Sequence, residues 1–388
     1  MRTKKILIAF AGMVLVAGLV IMPCIGVCAP PKPKVIILGT HEMGSGGYNL
    51  MSLVTESMVK KYPEIKWRSI PSGVDIARTM MPRVGETATT IHSSGAVWMI
   101  QEGLFDYASL EWGPQAIREI YCPQHVGLGF AVRGDRGIKT GYDLKGKTVA
   151  VYPGSPYPTL INESFLAFFK LTWDDVKPQK HSSGPDAYRA VRDGHLDTAF
   201  FNAASTQAVE IESMPCGIQW LDMPASDKEG WKRIRAVVPV HLPKKLTKGP
   251  GISKDNPAEI CAVAYPDIVC YEKTDEATVY WITRALLETR SDWEKKHRSL
   301  KADWTFKKHW NLWDGGITPM HKGAILYYKE IGQWTPEREK MNQERIQYQK
   351  KLRAYWDEMV EEAQQKRIKG KDFPKFWTKQ YKAKFGKK

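Results

Sequence analysis

The sequence of 388 residues predicts an α/β fold with two similar lobes around a ligand cleft and a C-terminal helical extension. The first observation behind this prediction is an internal repeat. GSGGYNL at residues 44–50 corresponds to GSPYPTL at 154–160, and SGVDIAR at 72–78 corresponds to SGPDAYR at 183–189. The two copies are offset by 110 and 111 residues. This period is longer than the repeat unit of a solenoid and indicates two similar domains.

The second observation is an alternation of strand-like and helix-like segments in each half. An apolar run such as VIILGT at residues 35–40 leads into a Gly/Ser turn, and apolar residues then recur at helical spacing from Leu50 to Met58. Such alternation favours mostly parallel sheets, which bind ligands beyond the carboxyl ends of their strands. Two facing lobes would therefore enclose a cleft lined by helix N-termini and hydroxyl groups.

The repeat and the alternation of strands and helices also predict domain boundaries. We expect the first lobe at residues 35–135 and 237–333, the second lobe at 136–236, and a basic helical extension at 334–388. The hinge should lie near residues 130–140 and 235–240. Helices are expected at 275–297 and 336–367, from their apolar and charge patterns.

The N-terminus has the layout of an export signal. Arg2, Lys4 and Lys5 precede 22 uncharged residues at 6–27, and a proline-rich linker starts at Pro30. Residues 1–29 therefore predict a signal peptide or a membrane anchor. Cleavage, lipidation at Cys28 and an uncleaved anchor remain open alternatives.

The formal net charge of +15 is concentrated at the two ends of the chain. The last 23 residues contain ten basic groups and one acidic residue, Asp372, whereas the body is nearly neutral. This distribution argues against a nucleic-acid-binding core. The tail also carries five aromatic residues, so it is expected either to contact an anionic membrane surface or to remain a solvated, partly disordered terminus.

Four cysteines follow the export segment: Cys122, Cys216, Cys261 and Cys270. Export permits disulfides, and buried free thiols are the alternative. Their spacing does not match a zinc or redox motif, and we expect neither a metal nor a cofactor.

The duplicated turns are the candidate ligand site. The first turn lacks the third glycine of a dinucleotide fingerprint and the Gly-Lys-Ser/Thr of a Walker loop, so a carboxylate fits better than a nucleotide phosphate. The first lobe would supply hydroxyls and backbone N–H groups from Ser45, Gly46, Gly47, Tyr48, Ser72, Gly73, Ser93 and Ser94. The second lobe would supply Gly154, Ser155, Tyr157, Thr159, Asn202 and Ser205.

Catalysis is the less favoured interpretation. The sequence has no G-x-S-x-G or H-E-x-x-H motif. His41, Glu42 and His92 lie beside the predicted turns and would be the candidate acid–base groups of an enzyme.

The segment ITPMHKGAILYYKEIG at residues 317–332 resembles the C-terminal signature of the TAXI-type solute-binding subunits of TRAP (tripartite ATP-independent periplasmic) transporters. GYDLKGKTVAVYPGSP at 141–156, AVRDGHLDTAFF at 190–201 and GSGGYNLM at 44–51 are similar to three further family segments. The resemblance implies a type II periplasmic binding protein fold, a periplasmic location, no enzymatic activity, and delivery of a small organic acid or amino acid to a TRAP permease driven by an ion gradient.

This sequence departs from the family pattern at both turns. Tyr48 and Asn49 follow the paired glycines of the first turn, and prolines flank Tyr157 in the second. The two tyrosines favour an aromatic or larger acid over the family's usual ligands. An envelope-associated sensor or interaction protein that uses the same two lobes is the alternative function.

Overall fold

The computed structural model describes residues 29–297, 300–301 and 304–385. The predicted export segment, apart from Ala29, lies outside the described residues. Within the described ranges, none of the helices is both long and apolar enough to cross a membrane.

The described residues form twelve strands and thirteen α-helices. The strands are β1 Val35–Thr40, β2 Lys66–Pro71, β3 Thr90–His92, β4 Ile117–Tyr121, β5 His125–Arg133, β6 Thr148–Val151, β7 Lys177–Lys180, β8 Ala199–Asn202, β9 Ile218–Trp220, β10 Leu242–Leu246, β11 Ala258–Ala264 and β12 Asp267–Tyr271. The helices are α1 Gly46–Lys61, α2 Asp75–Val84, α3 Ser94–Glu102, α4 Pro156–Phe168, α5 Gly184–Arg192, α6 Thr206–Glu212, α7 Lys228–Val237, α8 Glu276–Glu288, α9 Arg290–Trp293, α10 Phe306–Asp314, α11 Lys322–Glu330, α12 Pro336–Gln365 and α13 Phe373–Phe385.

The first lobe contains a sheet with the strand order β2-β1-β3-β12-β4. β1 and β2 pair in parallel, and a parallel bridge from Leu38 to Thr89 connects β1 to the start of β3. β12 is antiparallel to both β3 and β4. The apolar residues of this sheet, of α1 and of α8 form one buried core that also contains Trp293, Trp304 and Trp313.

The second lobe repeats this arrangement. β6 and β7 pair in parallel, and a parallel bridge from Val149 to Thr198 connects β6 to the start of β8. β5 is antiparallel to β8 and also pairs with β9 and β11, and β10 extends the sheet at its edge. The predicted α/β class with two similar lobes is therefore confirmed, although the long antiparallel strands make both sheets mixed.

The chain crosses between the lobes at two short segments, residues 122–124 and 265–266. β4 belongs to the first sheet and β5 to the second, whereas β11 belongs to the second sheet and β12 to the first. The strands thus assign residues 125–133 and 242–264 to the second lobe, so the expected boundaries at 135 and 237, and the expected hinge positions, are wrong. The reason is that each crossing is only two or three residues long, with Pro123 in the first and Pro266 in the second, so the strands on either side follow each other almost directly in sequence.

The C-terminal extension is a helical hairpin packed on the first lobe. α12 and α13 bury Leu352, Trp356, Phe373 and Trp377 between themselves and the body. The Trp377 indole donates to the carbonyl of Gly103, 2.7 Å away. The aromatic residues of the tail therefore serve an internal core, and the expectation of a partly disordered tail is wrong for residues 366–385.

A buried carboxylate fixes the extension to the body. Glu102 ends α3, where the helix dipole disfavours a negative charge, and it is only 2% exposed. The hydroxyls of Tyr348 and Tyr381 donate to its Oε2 over 2.6 Å and 2.9 Å. Burial raises the pKa of Glu102, and these donors oppose that shift.

We expect Tyr348→Phe to lower the free energy of unfolding by about 1–3 kcal/mol, because Glu102 loses a donor that cannot be replaced by water. Tyr355→Phe is the matched control, since the Tyr355 hydroxyl makes no hydrogen bond to the described residues and the change removes the same atom from the same helix. Urea unfolding of both variants measures the difference. Equal stabilities would contradict the assigned role of Glu102.

The four cysteines after the export segment are unpaired in the described structure. Cys122, Cys261 and Cys270 are buried and Cys216 is half-buried. Burial raises the pKa of the Cys122, Cys261 and Cys270 thiols, so they remain protonated and unreactive. The free-thiol alternative is the one that the structure supports.

Candidate functional site

A cavity of about 130 Å³ lies between the two lobes. Its walls are formed by the turns before α1 and α3 and by α2 on one side, and by α4, α5 and the turn before α6 on the other. An engineered cavity of about 150 Å³ holds a benzene molecule, so this one accommodates a small organic molecule. Both walls lie at the carboxyl ends of the parallel strands, as the sequence predicts.

The turn before α1 supplies the first set of polar groups. Ser45 caps α1, and its Oγ accepts the N–H of Tyr48 over 3.2 Å. Because the hydroxyl proton is not used by this bond, Ser45 can donate to a ligand. Gly46 lies next to it on the cavity wall, and the helix dipole favours negative charge at this point.

The second lobe presents the same arrangement at α6. Ser205 caps this helix by accepting the N–H of Ala208 over 3.3 Å, and it lines the cavity together with Asn202. Ser183 caps α5 in the same way, with Gly184 on the cavity wall. Serine hydroxyls and helix N-termini of both lobes therefore line one cavity between the lobes.

Arg78 is the cation of the cavity wall and is 1% exposed. Its guanidinium donates to the carbonyls of Ser72 and Ile91, over 2.8 Å and 3.0 Å, and to the Asp75 carboxylate. These bonds use three of its five N–H donors. Burial raises the pKa of Asp75 and Arg78 opposes that shift, while Oδ2 of Asp75 has no hydrogen-bond partner among the described residues.

Glu42 approaches the second lobe at the edge of the cavity. Burial raises the pKa of this carboxyl, and a hydrogen bond from Ser183 of the opposite lobe is the largest effect that lowers it. Gly73 leaves room for it, because a Cβ atom at Gly73 would lie 2.8 Å from the Glu42 carboxylate, which would have to shift. Glu42 therefore contacts both lobes.

The two lobes meet in a closed arrangement. The backbone N–H of Asp75 donates to Ser155 Oγ across the cleft over 3.2 Å. The ring of Tyr157, from the second lobe, lies against Gly95 of α3, where an added Cβ would be 2.1 Å from the ring. The Tyr157 hydroxyl is held 2.9 Å from His241 Nε2, so the ring has a fixed position.

Half of the predicted ligand residues line the cavity. They are Ser45, Gly46, Gly73, Ser93, Tyr157, Asn202 and Ser205. The others are close in sequence to lining residues but are not on the cavity wall themselves: Gly47, Tyr48, Ser72, Ser94, Gly154, Ser155 and Thr159.

Several of these other residues have structural roles instead. A Cβ at Gly47 would overlap the Tyr265 hydroxyl, so this glycine admits Tyr265 to the N-terminus of α1. Thr159 Oγ1 accepts the N–H of Tyr152 over 2.9 Å. Pro156 and Pro158 remove two N–H groups from the first turn of α4, which leaves this helix a poor anion site.

Sequence reasoning missed the ion pair of Arg78 and Asp75. Both residues belong to the quoted repeat SGVDIAR, but its echo SGPDAYR places Asp186 and Arg189 on the surface, where their separation is 3.9 Å. It also missed Tyr188 and Tyr265, because β-strand and helix patterns do not distinguish a core aromatic from one on a cavity wall.

Of the two histidines considered for catalysis, only His41 lines the cavity. His92 is 0% exposed and does not line the cavity; its Nε2 lies 3.2 Å from Thr79 Oγ1. His41 does line the cavity, packed edge-on against Tyr265. Burial lowers the pKa of both rings, so they are neutral. In the part of the chain that the structure describes, no three His, Cys, Asp or Glu side chains are placed to hold a metal ion.

Comparisons with known proteins agree with this architecture. A model of the NMT1-like family matches residues 69–332, more than half of the chain. The periplasmic binding protein BugD superposes with a TM-score of 0.51 at 11% identity, over 80% of this chain and 98% of that one.

Two further solved structures are more distant. The alkanesulfonate-binding protein SsuA from Xanthomonas axonopodis pv. citri, bound to MOPS, has a TM-score of 0.44 at 14% identity over 79% of this chain and 86% of its own. PhnD1 from Prochlorococcus marinus (MIT 9301), in complex with methylphosphonate, has a TM-score of 0.43 at 13% identity over 78% and 100%. On the family match and the BugD likeness, the chain belongs to the NMT1-like family and has the fold of a type II periplasmic binding protein.

Proposed function

We propose that this protein is an exported solute-binding protein that encloses a small organic acid between its lobes and delivers it to a membrane permease. The observation that carries this proposal is the enclosed cavity with capping serines from both lobes and one buried arginine on its wall. A ligand held by both lobes favours their closed arrangement, because it has more contacts there than in an open one.

The wall favours a compact acid with both polar and apolar parts. A carboxylate would accept hydrogen bonds from Ser45, Ser205 and the free donors of Arg78. The unpartnered Oδ2 of Asp75 would accept a hydroxyl or amino group of the same ligand. Tyr157, Tyr188 and Phe200 supply an aromatic side, so an aromatic acid of about benzene's size fits as well as a short dicarboxylate or amino acid.

Thermal unfolding against a panel of dicarboxylates, keto acids, amino acids and aromatic acids tests this proposal. A ligand at 100 times its dissociation constant is expected to add about 2.7 kcal/mol of stability, a shift of a few degrees. The protein is first unfolded and refolded to remove any bound ligand. No shift with any acid would contradict the proposal and favour the sensor or interaction function.

Matched serine variants localise the binding. Ser45→Ala and Ser205→Ala should each weaken binding of the ligand about tenfold, since each removes one hydrogen bond to an anion. Ser253→Ala is the control, because the Ser253 hydroxyl also accepts an N–H three residues later, over 3.0 Å, but lies outside the cavity. Weakening by the control variant alone would place the ligand elsewhere.

The proposed partner is a TRAP permease, on the resemblance of residues 317–332 to the TAXI signature. Uptake of the ligand by cells that express the protein distinguishes the two main classes of permease. Collapse of the ion gradients with ATP maintained should abolish uptake through a TRAP permease. Uptake that persists under these conditions and stops on ATP depletion would indicate an ABC-type permease instead.

A further inference from the structure

The outer face of α13 carries an unusually regular set of charges. Lys375, Lys379 and Lys382 follow at intervals of four and three residues, which places them on one face of the helix. Lys371 precedes them by one further interval of four residues. All four are exposed, and none forms an ion pair with a described residue. These four residues are called the lysine stripe below.

The opposite face of the same helix holds it in place. Phe373 and Trp377 are at most 1% exposed and pack against α12. Tyr381 is tied to Glu102 of the body through its hydroxyl. Three of the four lysines are therefore displayed on a helix that is held in place, and Lys371 lies in the turn just before it, so binding through the stripe does not cost the ordering of a flexible tail.

The surroundings of the stripe are also basic. Residues 366–385 contain eight basic side chains and a single acidic one, Asp372. Arg367 and Lys369 are exposed in the turn that leads into α13. Positive charge therefore dominates the turn and α13, whereas the last nine residues of α12 contain four acidic side chains, of which Glu362 pairs with Lys366.

From this arrangement we propose that the lysine stripe is a docking surface for an anionic phospholipid membrane. Seven of the eight basic residues are lysines, whereas protein interfaces favour arginine and aromatic anchors and are depleted in lysine. The aromatic residues of α13 are already buried, so the exposed face offers charge without an apolar anchor. Such a face suits lipid headgroups at a membrane surface better than a pocket of a protein.

The proposal does not depend on the ligand site. Docking would hold the protein close to the membrane in which its proposed permease lies, and the cavity would remain free. Contact through lysines alone is reversible and sensitive to salt, because exposed charges are screened within about 10 Å at 0.1 M ionic strength.

Vesicle sedimentation tests the proposal with a chain that starts at Ala29, so that the apolar N-terminal segment cannot bind lipid by itself. We expect binding to vesicles with about one third anionic lipid at 50 mM salt, and loss of binding at 500 mM salt or with neutral vesicles. The quadruple variant K371Q/K375Q/K379Q/K382Q should bind roughly 600-fold more weakly, since each of the four lysines near an anionic surface contributes about fivefold.

The control has the same change in net charge on the second lobe: K177Q/K180Q/K232Q/K254Q, at four exposed lysines. It should bind vesicles like the unmodified chain. Equal binding by the stripe variant, or no binding to anionic vesicles by the unmodified chain, would overturn the proposal. Retention on an acidic protein column without vesicle binding would also overturn it and point to a protein partner.

Discussion

Gly95→Ala is expected to weaken ligand binding on the order of 100-fold. The added methyl group would lie 2.1 Å from the Tyr157 ring, a distance that requires one of the two to move. Tyr157 cannot turn away easily, because its hydroxyl is bound to the buried His241. Overpacking of this kind costs about 1–3 kcal/mol, and here the closed arrangement alone would bear the cost. An equilibrium shifted away from the binding-competent state lowers the apparent affinity by the same factor.

Calorimetric titration with the ligand found in the acid panel measures this effect. A double-mutant cycle supplies the decisive comparison: in a Tyr157→Ala background, Gly95→Ala should have little further effect. Gly370→Ala is the control glycine, since an added Cβ there meets nothing within 4 Å. If Gly95→Ala binds the ligand as tightly as the unmodified protein, closure does not depend on this contact.

Asp267→Asn is expected to stabilise the protein at pH 7 by about 2–4 kcal/mol. Asp267 is 3% exposed, and burial raises its pKa to about 8. Glu119, buried close by, has a raised pKa as well, so the two carboxyls resist ionisation together. The unfolded chain releases the Asp267 proton near pH 4, whereas the folded chain keeps it up to about pH 8. Between these two pH values the retained proton lowers the free energy of unfolding. Stability from this group is complete below pH 4 and is lost as the pH rises through 8, and the variant removes that loss.

His321→Asn should show the opposite dependence on pH. Burial lowers the pKa of His321 to about 4, while its Nδ1 accepts the N–H of Gly323 over 3.1 Å and caps α11. The stability that a neutral histidine contributes is present above pH 6.5 and is lost as the pH falls toward 4. Asparagine can cap the helix without titrating. As the pH falls over this range, the free energy of unfolding of the variant should therefore rise by about 1.4 kcal/mol per pH unit relative to that of the unmodified protein.

Urea unfolding from pH 5 to pH 8 measures both variants against the unmodified protein. The gain in free energy of unfolding from Asp267→Asn should grow as the pH rises, and the gain from His321→Asn should grow as the pH falls. Parallel curves for all three proteins would show that neither group carries the assigned protonation state.

The repeat could predict much of the fold because it marks the turns that begin each helix. Ser45 and Ser183 cap their helices, whereas their repeat partners Ser155 and Ser72 make no side-chain cap. The strands of the repeat nevertheless pair alike in both lobes, since β1-β2 and β6-β7 are both parallel. The boundaries could not be predicted in the same way. β5 and β11 are mostly apolar, and an apolar strand does not reveal which of two sheets it joins.

The candidate site was predictable mainly at the turns that begin helices, where a hydroxyl or glycine stands, and at Asn202 at the end of β8. Arg78 could not be predicted as a site residue, because its burial depends on the carbonyls of Ser72 and Ile91, which only the folded chain brings together. The most specific motif, at residues 317–332, does not line the cavity at all. Its Gly323 lets α11 pack on α8, since an added Cβ would lie 2.3 Å from the carbonyl of Glu276, and its Tyr328 donates to the carbonyl of Ile120.

The attachment of the extension to a single lobe has a practical consequence for optical measurement. Its described hydrogen bonds to the body, among them those of Trp377, Tyr381 and Gln349, all end on the first lobe. A fluorescent donor on α13 would thus keep its position relative to one half of the clamshell, and an acceptor on α7 would move with the other half. Energy transfer between such labels would change when the lobes close, so the labelled protein would report binding of its proposed ligand.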